Sequence, residues 1–345
     1  MAQIYGVFSA KGRPVERAGH LSHSGDLMVP APCPDAAGLP LRPGRWLFGG
    51  IGMHHFGHAL IFSTARLWAL DHLEKPPEGI LFLERAGTGA AAPRPTRPGT
   101  TRHLQALLSF LGVGLPVWTV TQDERIEELV VPAPGISTDR RLFSGTPDHR
   151  RFLRSRVESV PASDAHERVY VSRSRLGPHK GGLLFEDRLE TLLAEEGYHI
   201  FHPQDHSLNA QVALYRGARH IIGVDGSAMH LVALAADPSA SVAILARRDH
   251  YAPALAAQVT AFSGASAVAL TSFERAYAPA SALVAGLAWY QALCPTDFPR
   301  LGADLAAAGF LDRLPHWKNP SGTRLQRRLD RIAARLGQPM VPVDL

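Results

Sequence analysis

The chain has 345 residues, 46% of them hydrophobic, and 36 Lys and Arg stand against 31 Asp and Glu for a net charge of +5. That length suits two domains, and the apolar fraction supplies a core for each. The modest basic excess favours anionic small molecules or an anionic membrane face, and the absence of zinc-finger spacing, aromatic platform motifs and continuous basic helices argues against a nucleic-acid reader. Cys33 and Cys294 are two isolated thiols. They make neither a disulfide framework nor a zinc knuckle, and read as reduced thiols of a cytosolic protein, with one long-range bridge as the alternative. The opening MAQIYGVFSAKGRP lacks the order of a secretory signal, and no run reaches the ~18 apolar residues of a membrane helix.

Residues 1–45 are rich in Pro and Gly and read as an irregular N-terminal segment. Trp46-Leu47-Phe48 predicts a strand running into a glycine turn, Gly49-Gly50-Ile51-Gly52, and then a helix from about His54 to His72. Strands are expected at Ile80–Leu83, Pro116–Thr119 and Leu129–Pro132, with a helix over Thr101–Phe110. The basic stretch from Pro134 to His166 predicts a helix or two and the crossing between halves.

The second half alternates more cleanly. Strands are expected at Val169–Ser172, Tyr198–His202, His220–Val224 and Ser241–Leu245. Between them fall helices at Glu186–Glu196, Leu208–Arg216 (with Ser207 as N-cap) and Ser227–Ala235. This spacing argues βαβ units and a parallel sheet, whose ligands gather at the carboxyl ends of the strands. The expected division is 46–150, an α/β domain; 151–280, a Rossmann-like domain; and 281–345, a basic helical tail.

Three constellations carry chemistry. His54, His55 and His58 follow the glycine turn at the expected start of a helix, where a neutral imidazole suits a general base. H-E-x-x-H is absent, so zinc is disfavoured, and no D-x-D supports a carboxylate-held Mg²⁺. Arg173, Arg175 and Lys180 follow a strand end with Gly177, Gly181 and Gly182, a set that suits a diphosphate. Asp225-Gly226-Ser227 with His230 opens a helix after the strand His220–Val224, a generic anion site. Neither G-x-G-x-x-G nor the P-loop pattern is present.

Together these motifs resemble glycosyltransferase family 61. That family has an N-F/Y-x-H segment, a Y-x-S-R segment, a basic residue and an N-E pair opening a helix, and a late G-x-H-G-A-G-L-x-N segment. Here they read His55-Phe56-Gly57-His58, Tyr170-Val171-Ser172-Arg173, Lys180 with Phe185-Glu186, and Gly223 through Leu231. His58 and Arg173 match directly. His55, Phe185, Asp225 and Leu231 depart from the family's Asn, Asn, His and Asn, and an acidic Asp225 beside a diphosphate would repel it unless turned away.

The resemblance implies a GT-B arrangement, two Rossmann-like domains facing across a cleft, with 46–150 on the acceptor side and 151–280 on the nucleotide-sugar side. It implies a metal-independent, inverting transfer from a nucleotide sugar, typically UDP-linked, to a saccharide or lipid-linked acceptor in surface polysaccharide synthesis. His58, with His55, would serve as catalytic base. Arg173, Arg175, Lys180, Glu186, Asp225, Gly226, Ser227 and His230 would bind the donor, with no cofactor or metal. The expected setting is cytoplasmic. The arginines from Arg324 to Arg335 suit either solvent or peripheral contact with an anionic membrane. The alternatives are an inactive nucleotide-sugar or saccharide binder, and another α/β hydrolase or transferase built on the histidine cluster, which lacks a G-x-S-x-G elbow.

Overall fold

A computed structural model of the chain describes residues 6–19, 32–53, 55–84, 100–137, 143–248 and 251–344. It divides into two compact units, Met1–Ser159 and Val160–Leu345.

The first unit is built on strands β1 (Leu41–Gly52), β2 (Gly79–Glu84), β3 (Val117–Val120) and β4 (Arg125–Val130), all parallel in the order β3-β2-β1-β4. Helices α1 (Phe56–His58), α2 (Thr100–Phe110) and α3 (Pro147–Glu158) complete it. Leu104, Leu107, Leu108 and Leu111 recur at the spacing of one helical face and are all buried, which fixes how α2 lies. Two expectations need correction. Gly49–Gly52 is strand rather than turn, because a side chain at Gly49 would sit 2.4 Å from the Phe82 ring of β2. The helix expected to run to His72 breaks: α1 passes into a π-helical turn at Ala59–Ser63, and a separate 3₁₀ segment spans Leu67–His72. Thr64 Oγ1 donates to the Leu60 carbonyl and so competes with the regular helical ladder, while Ser63 Oγ donates to the Ile51 carbonyl and ties the turn to β1.

The second unit holds a five-stranded parallel sheet and a smaller mixed one. Its strands are β5 (Arg168–Val171), β6 (Gly182–Leu184), β7 (His199–Phe201), β8 (His220–Val224), β9 (Ser241–Leu245), β10 (Ser266–Leu270), β11 (Ala276–Pro279), β12 (Leu293–Pro295) and β13 (Met340–Val343). The helices are α4 (Glu186–Glu195), α5 (Leu208–Gly217), α6 (Ser227–Ala235), α7 (Tyr251–Ser263), α8 (Ala280–Val284), α9 (Ala288–Gln291), α10 (Phe298–Ala307) and α11 (Gly322–Leu336). The parallel sheet runs β10-β9-β8-β5-β7. From β5 the chain steps out to β7, then returns to the other side of β5 for β8, so the order reverses between β5 and β8. Such a reversal opens a crevice at the strand carboxyl ends. Val169, Ile221, Ile222, Val242 and Ile244 are wholly buried, as central parallel strands require.

Both units are therefore of the expected α/β class. The segment after residue 280, expected to be helical throughout, also supplies β12 and β13 to the sheet β13-β11-β12-β6. Its basic helix α11 buries Leu329 and ties Arg328 to Asp187 of α4 at 2.6 Å, while Arg324, Arg327, Arg331 and Arg335 stay exposed. Both cysteines are free thiols, Cys33 exposed and Cys294 buried.

Candidate functional site

In the second unit the chemistry collects where β5, β8 and β9 end. Glu186, the first residue of α4, is buried and gathers three donors on Oε1: the Tyr170 hydroxyl at 2.9 Å, the Ser172 hydroxyl at 3.2 Å and the Arg173 amide at 2.7 Å. Burial pushes its carboxyl up to about 6, against the pull of those hydrogen bonds and of the Arg173 charge. One turn on, Glu190 accepts from the Ser174 hydroxyl and shares the single Ser172 proton with Glu186, its Oε1 lying 2.5 Å from each serine oxygen. The two carboxylates thus stitch the loop after β5 onto α4 and set where Arg173 stands.

Arg173 lies against the turn after β8. Its Nη2 donates to the Lys180 carbonyl at 3.1 Å, and a side chain at Gly226 would meet Nη1 at 2.4 Å. Gly226 is there because the guanidinium occupies the space of a Cβ. Arg173 Nε is buried and lacks a hydrogen-bond partner among the described residues. Burial holds the Arg173 pKa below its usual value, although Asp225 and Glu186 raise it.

Asp225 is fully buried and does not repel an incoming anion unaided, because two further arginines hold it. Arg247 Nε lies 2.9 Å from Oδ1 and the Arg247 amide donates to Oδ2 at 3.1 Å. Arg248 reaches the same Oδ1 through Nη2 at 2.8 Å and Nε at 3.2 Å. Both arginines follow β9 and are buried. Burial brings Arg247 down to about 10, against the attraction of Asp225. Two guanidiniums, from Arg247 and Arg248, therefore meet one carboxylate, Asp225, beside the start of α6, and that of Arg173 lies at the same turn against Gly226. Helix α6 opens at Gly226 with no side-chain cap, so its first amides stay available to an anion.

The remaining expected residues separate. Ser227 is half-buried at the first position of α6. Lys180 is half-buried on the neighbouring 3₁₀ turn Pro178–Lys180. Arg175 does not join the cluster but pairs at the surface with Asp205 at 2.7 Å. His230 turns inward: Nδ1 meets Gln258 Oε1 at 2.6 Å and Nε2 meets the Tyr251 hydroxyl at 3.1 Å. The ring centre of Tyr251 in turn lies 3.9 Å from the Arg248 guanidinium. Leu231 is wholly buried in the core. Arg247, Arg248, Tyr251 and Glu190 were missed by sequence reasoning. The findable signal was Arg247-Arg248 directly after a strand end, the same position that marked Arg173.

In the first unit, His55 is the exposed N-cap of α1 and His58 its half-buried last residue. Their rings are 5.0 Å apart, and Phe62 meets the His58 ring edge-on at 5.5 Å. His58 leads directly into the π-helical turn, a device that recurs at functional sites. His54 lies outside the described residues. Buried His149 donates or accepts at Thr64 Oγ1, 3.3 Å away, and burial drives its imidazole down to about 3. Arg66, buried and lowered to about 10, donates from Nε to the Pro132 carbonyl and from Nη2 to those of Arg17 and Gly19.

Among the described residues, no group of three or more His, Cys, Asp or Glu side chains is gathered to hold a metal, and no helix is long and apolar enough to cross a membrane. A search of curated proteins returns no match. The profile of the family described as Glycosyltransferase 61 matches residues 56–243, a span that contains His58, Arg173, Glu186 and the Asp225-Gly226 turn. The chain belongs to glycosyltransferase family 61.

Proposed function

We propose that this glycosyltransferase takes a sugar from a nucleoside-diphosphate donor, UDP-linked in the first instance, and passes it with inversion to a hydroxyl of a saccharide or lipid-linked acceptor. The observation that carries the proposal is the cluster of Arg173, Arg247 and Arg248 at the β5/β8 reversal, three guanidiniums against the two buried carboxylates Asp225 and Glu186. Guanidiniums present planar donor forks that suit phosphate oxygens, and fixed donors at a leaving diphosphate stabilise the charge that grows there in the transition state.

In this reading Arg173, Arg247 and Arg248 neutralise the departing diphosphate, assisted by the first amides of α6 and by Lys180. Glu186 and Glu190 are positioning residues that hold the Arg173 loop. His58 accepts the proton of the acceptor hydroxyl as its oxygen attacks the anomeric carbon, with His55 beside it. Because the cations carry the leaving-group charge, the step proceeds without a divalent metal. The GT-B cleft, with His58 and Arg173 on its two sides, is part of the proposal, as is a cytoplasmic setting in surface polysaccharide synthesis. The exposed arginines of α11 support contact with an anionic membrane face.

The test is nucleotide-sugar turnover by wild type, His58→Ala and Arg173→Ala in the presence of EDTA. Both variants should lose turnover by at least about a hundredfold. Arg173→Ala should also lose UDP binding, while His58→Ala keeps it. Full activity in either variant, or wild-type activity abolished by EDTA, overturns the assignment.

A further inference from the structure

The arginine cluster has an aromatic border. Trp289, on α9, is 44% exposed. The Arg248 guanidinium lies 5.7 Å from its ring centre. Tyr290 also stands beside it, ring to ring at 5.8 Å and 69°. The backbone of α9 is fixed to the same cluster, because Arg247 Nη1 donates to the Tyr290 carbonyl at 3.0 Å. Gly181, with φ +64°, closes the corner: a side chain there would meet the Tyr290 carbonyl at 2.6 Å and Arg247 Nη1 at 2.7 Å. A large indole is thus placed at the rim of a cationic site with 44% of its surface exposed, and that exposed apolar area contributes nothing to folding.

We infer that Trp289 is the stacking platform for the nucleobase of the donor, with Arg248 between the base and the diphosphate. A nucleotide offers a flat π-face at one end and a compact anion at the other, and the rim offers a matching indole and guanidinium pair. Stacking on an indole tolerates every base, so Trp289 sets the need for a nucleoside rather than the choice among bases. Arg248 is already braced from beneath by Tyr251 at 3.9 Å, which leaves its guanidinium oriented when the donor arrives. The inference rests on the diphosphate reading above.

The experiment separates the two ideas by using ligands with and without a base. Calorimetric titrations of UDP, GDP, CDP, ADP and inorganic pyrophosphate are carried out on the full chain and on Trp289→Ala and Trp289→Phe. In wild type, at least one nucleoside diphosphate should bind more tightly than pyrophosphate, by about tenfold or more. Trp289→Ala should lose about that factor for nucleotides and leave pyrophosphate unchanged, while Trp289→Phe, still a flat ring, retains most of it. Pyrophosphate binding with nucleotide affinity unaltered in Trp289→Ala overturns the platform and leaves the diphosphate reading standing. Equal loss of pyrophosphate and nucleotide affinity in Trp289→Ala also overturns it, since the indole would then be supporting the arginines. Failure of wild type to bind either class overturns the diphosphate reading and the platform with it.

Discussion

Replacing Asp225 with Asn should weaken the fold and strengthen the site. In the free protein this carboxylate offsets two buried cations, Arg247 at 2.9 Å and Arg248 at 2.8 Å. Removing one partner of a buried ion pair costs about 3–5 kcal/mol, and an amide that still offers a carbonyl oxygen belongs at the lower end. A loss of about 3 kcal/mol in a unit of this size lowers Tm by about 6–12 °C. The opposite effect follows for a bound diphosphate. One negative charge removed at about 6 Å, at an effective dielectric of about 20, is worth up to about 3 kcal/mol per unit of ligand charge. Screening reduces this, and a gain of at least about tenfold in pyrophosphate affinity remains. The assay is thermal unfolding of wild type and Asp225→Asn at low salt, with and without pyrophosphate, beside a direct titration. The variant should start lower and be raised further by ligand. Loss of both stability and affinity would refute the reasoning, because Asp225 would then be arranging the guanidiniums rather than offsetting them.

Three further outcomes follow. Burial lowers His149 from 6.5 to about 3, so the folded form binds fewer protons than the unfolded chain between those values and stability falls as pH drops. From pH 8 to 5 that loss is about 2 kcal/mol, and His149→Gln should remove it from the urea-unfolding profile. Glu186 has the opposite sign: raised from 4.5 to about 6, it makes the fold gain stability as pH falls through that window. Glu186→Gln should flatten a gain of about 1 kcal/mol between pH 8 and 5, read from the same denaturation series. Gly226→Ala drives a methyl into Arg173 Nη1, 2.4 Å away, and should weaken diphosphate binding at least about tenfold in calorimetry, with a much smaller change in Tm than Asp225→Asn gives.

The second unit was largely legible in the sequence. Ile221, Ile222 and Val224 form an apolar run that only a buried strand accommodates, and Ser207 caps α5 by accepting from the Ala210 amide at 3.2 Å. The first unit was harder to read because Gly49 follows Phe48 like a turn, although its small size serves the packing of Phe82. At the site, Arg173 and Gly226 were readable from their places at strand ends. Arg247 and Arg248 share that kind of position, but two adjacent arginines look solvated until Asp225 arrives from a different strand to hold both. Arg175 misled for the converse reason: it resembles its neighbour Arg173, but Asp205 claims it at the surface.

Phe185 connects these features to the end of the chain. It caps α4 in a left-handed conformation, φ 64°, that a bulky residue adopts only under constraint, at the position where Asn is the family's residue. The Arg328 guanidinium covers its ring at 4.9 Å while pairing with Asp187. The next residue is Glu186, which grips the Arg173 amide. The last helix therefore covers the α4 cap beside Glu186: a chain ending before Gly322 would retain Arg173, Arg247 and Arg248, yet lose the Arg328 contacts to Phe185 and Asp187 together with strand β13.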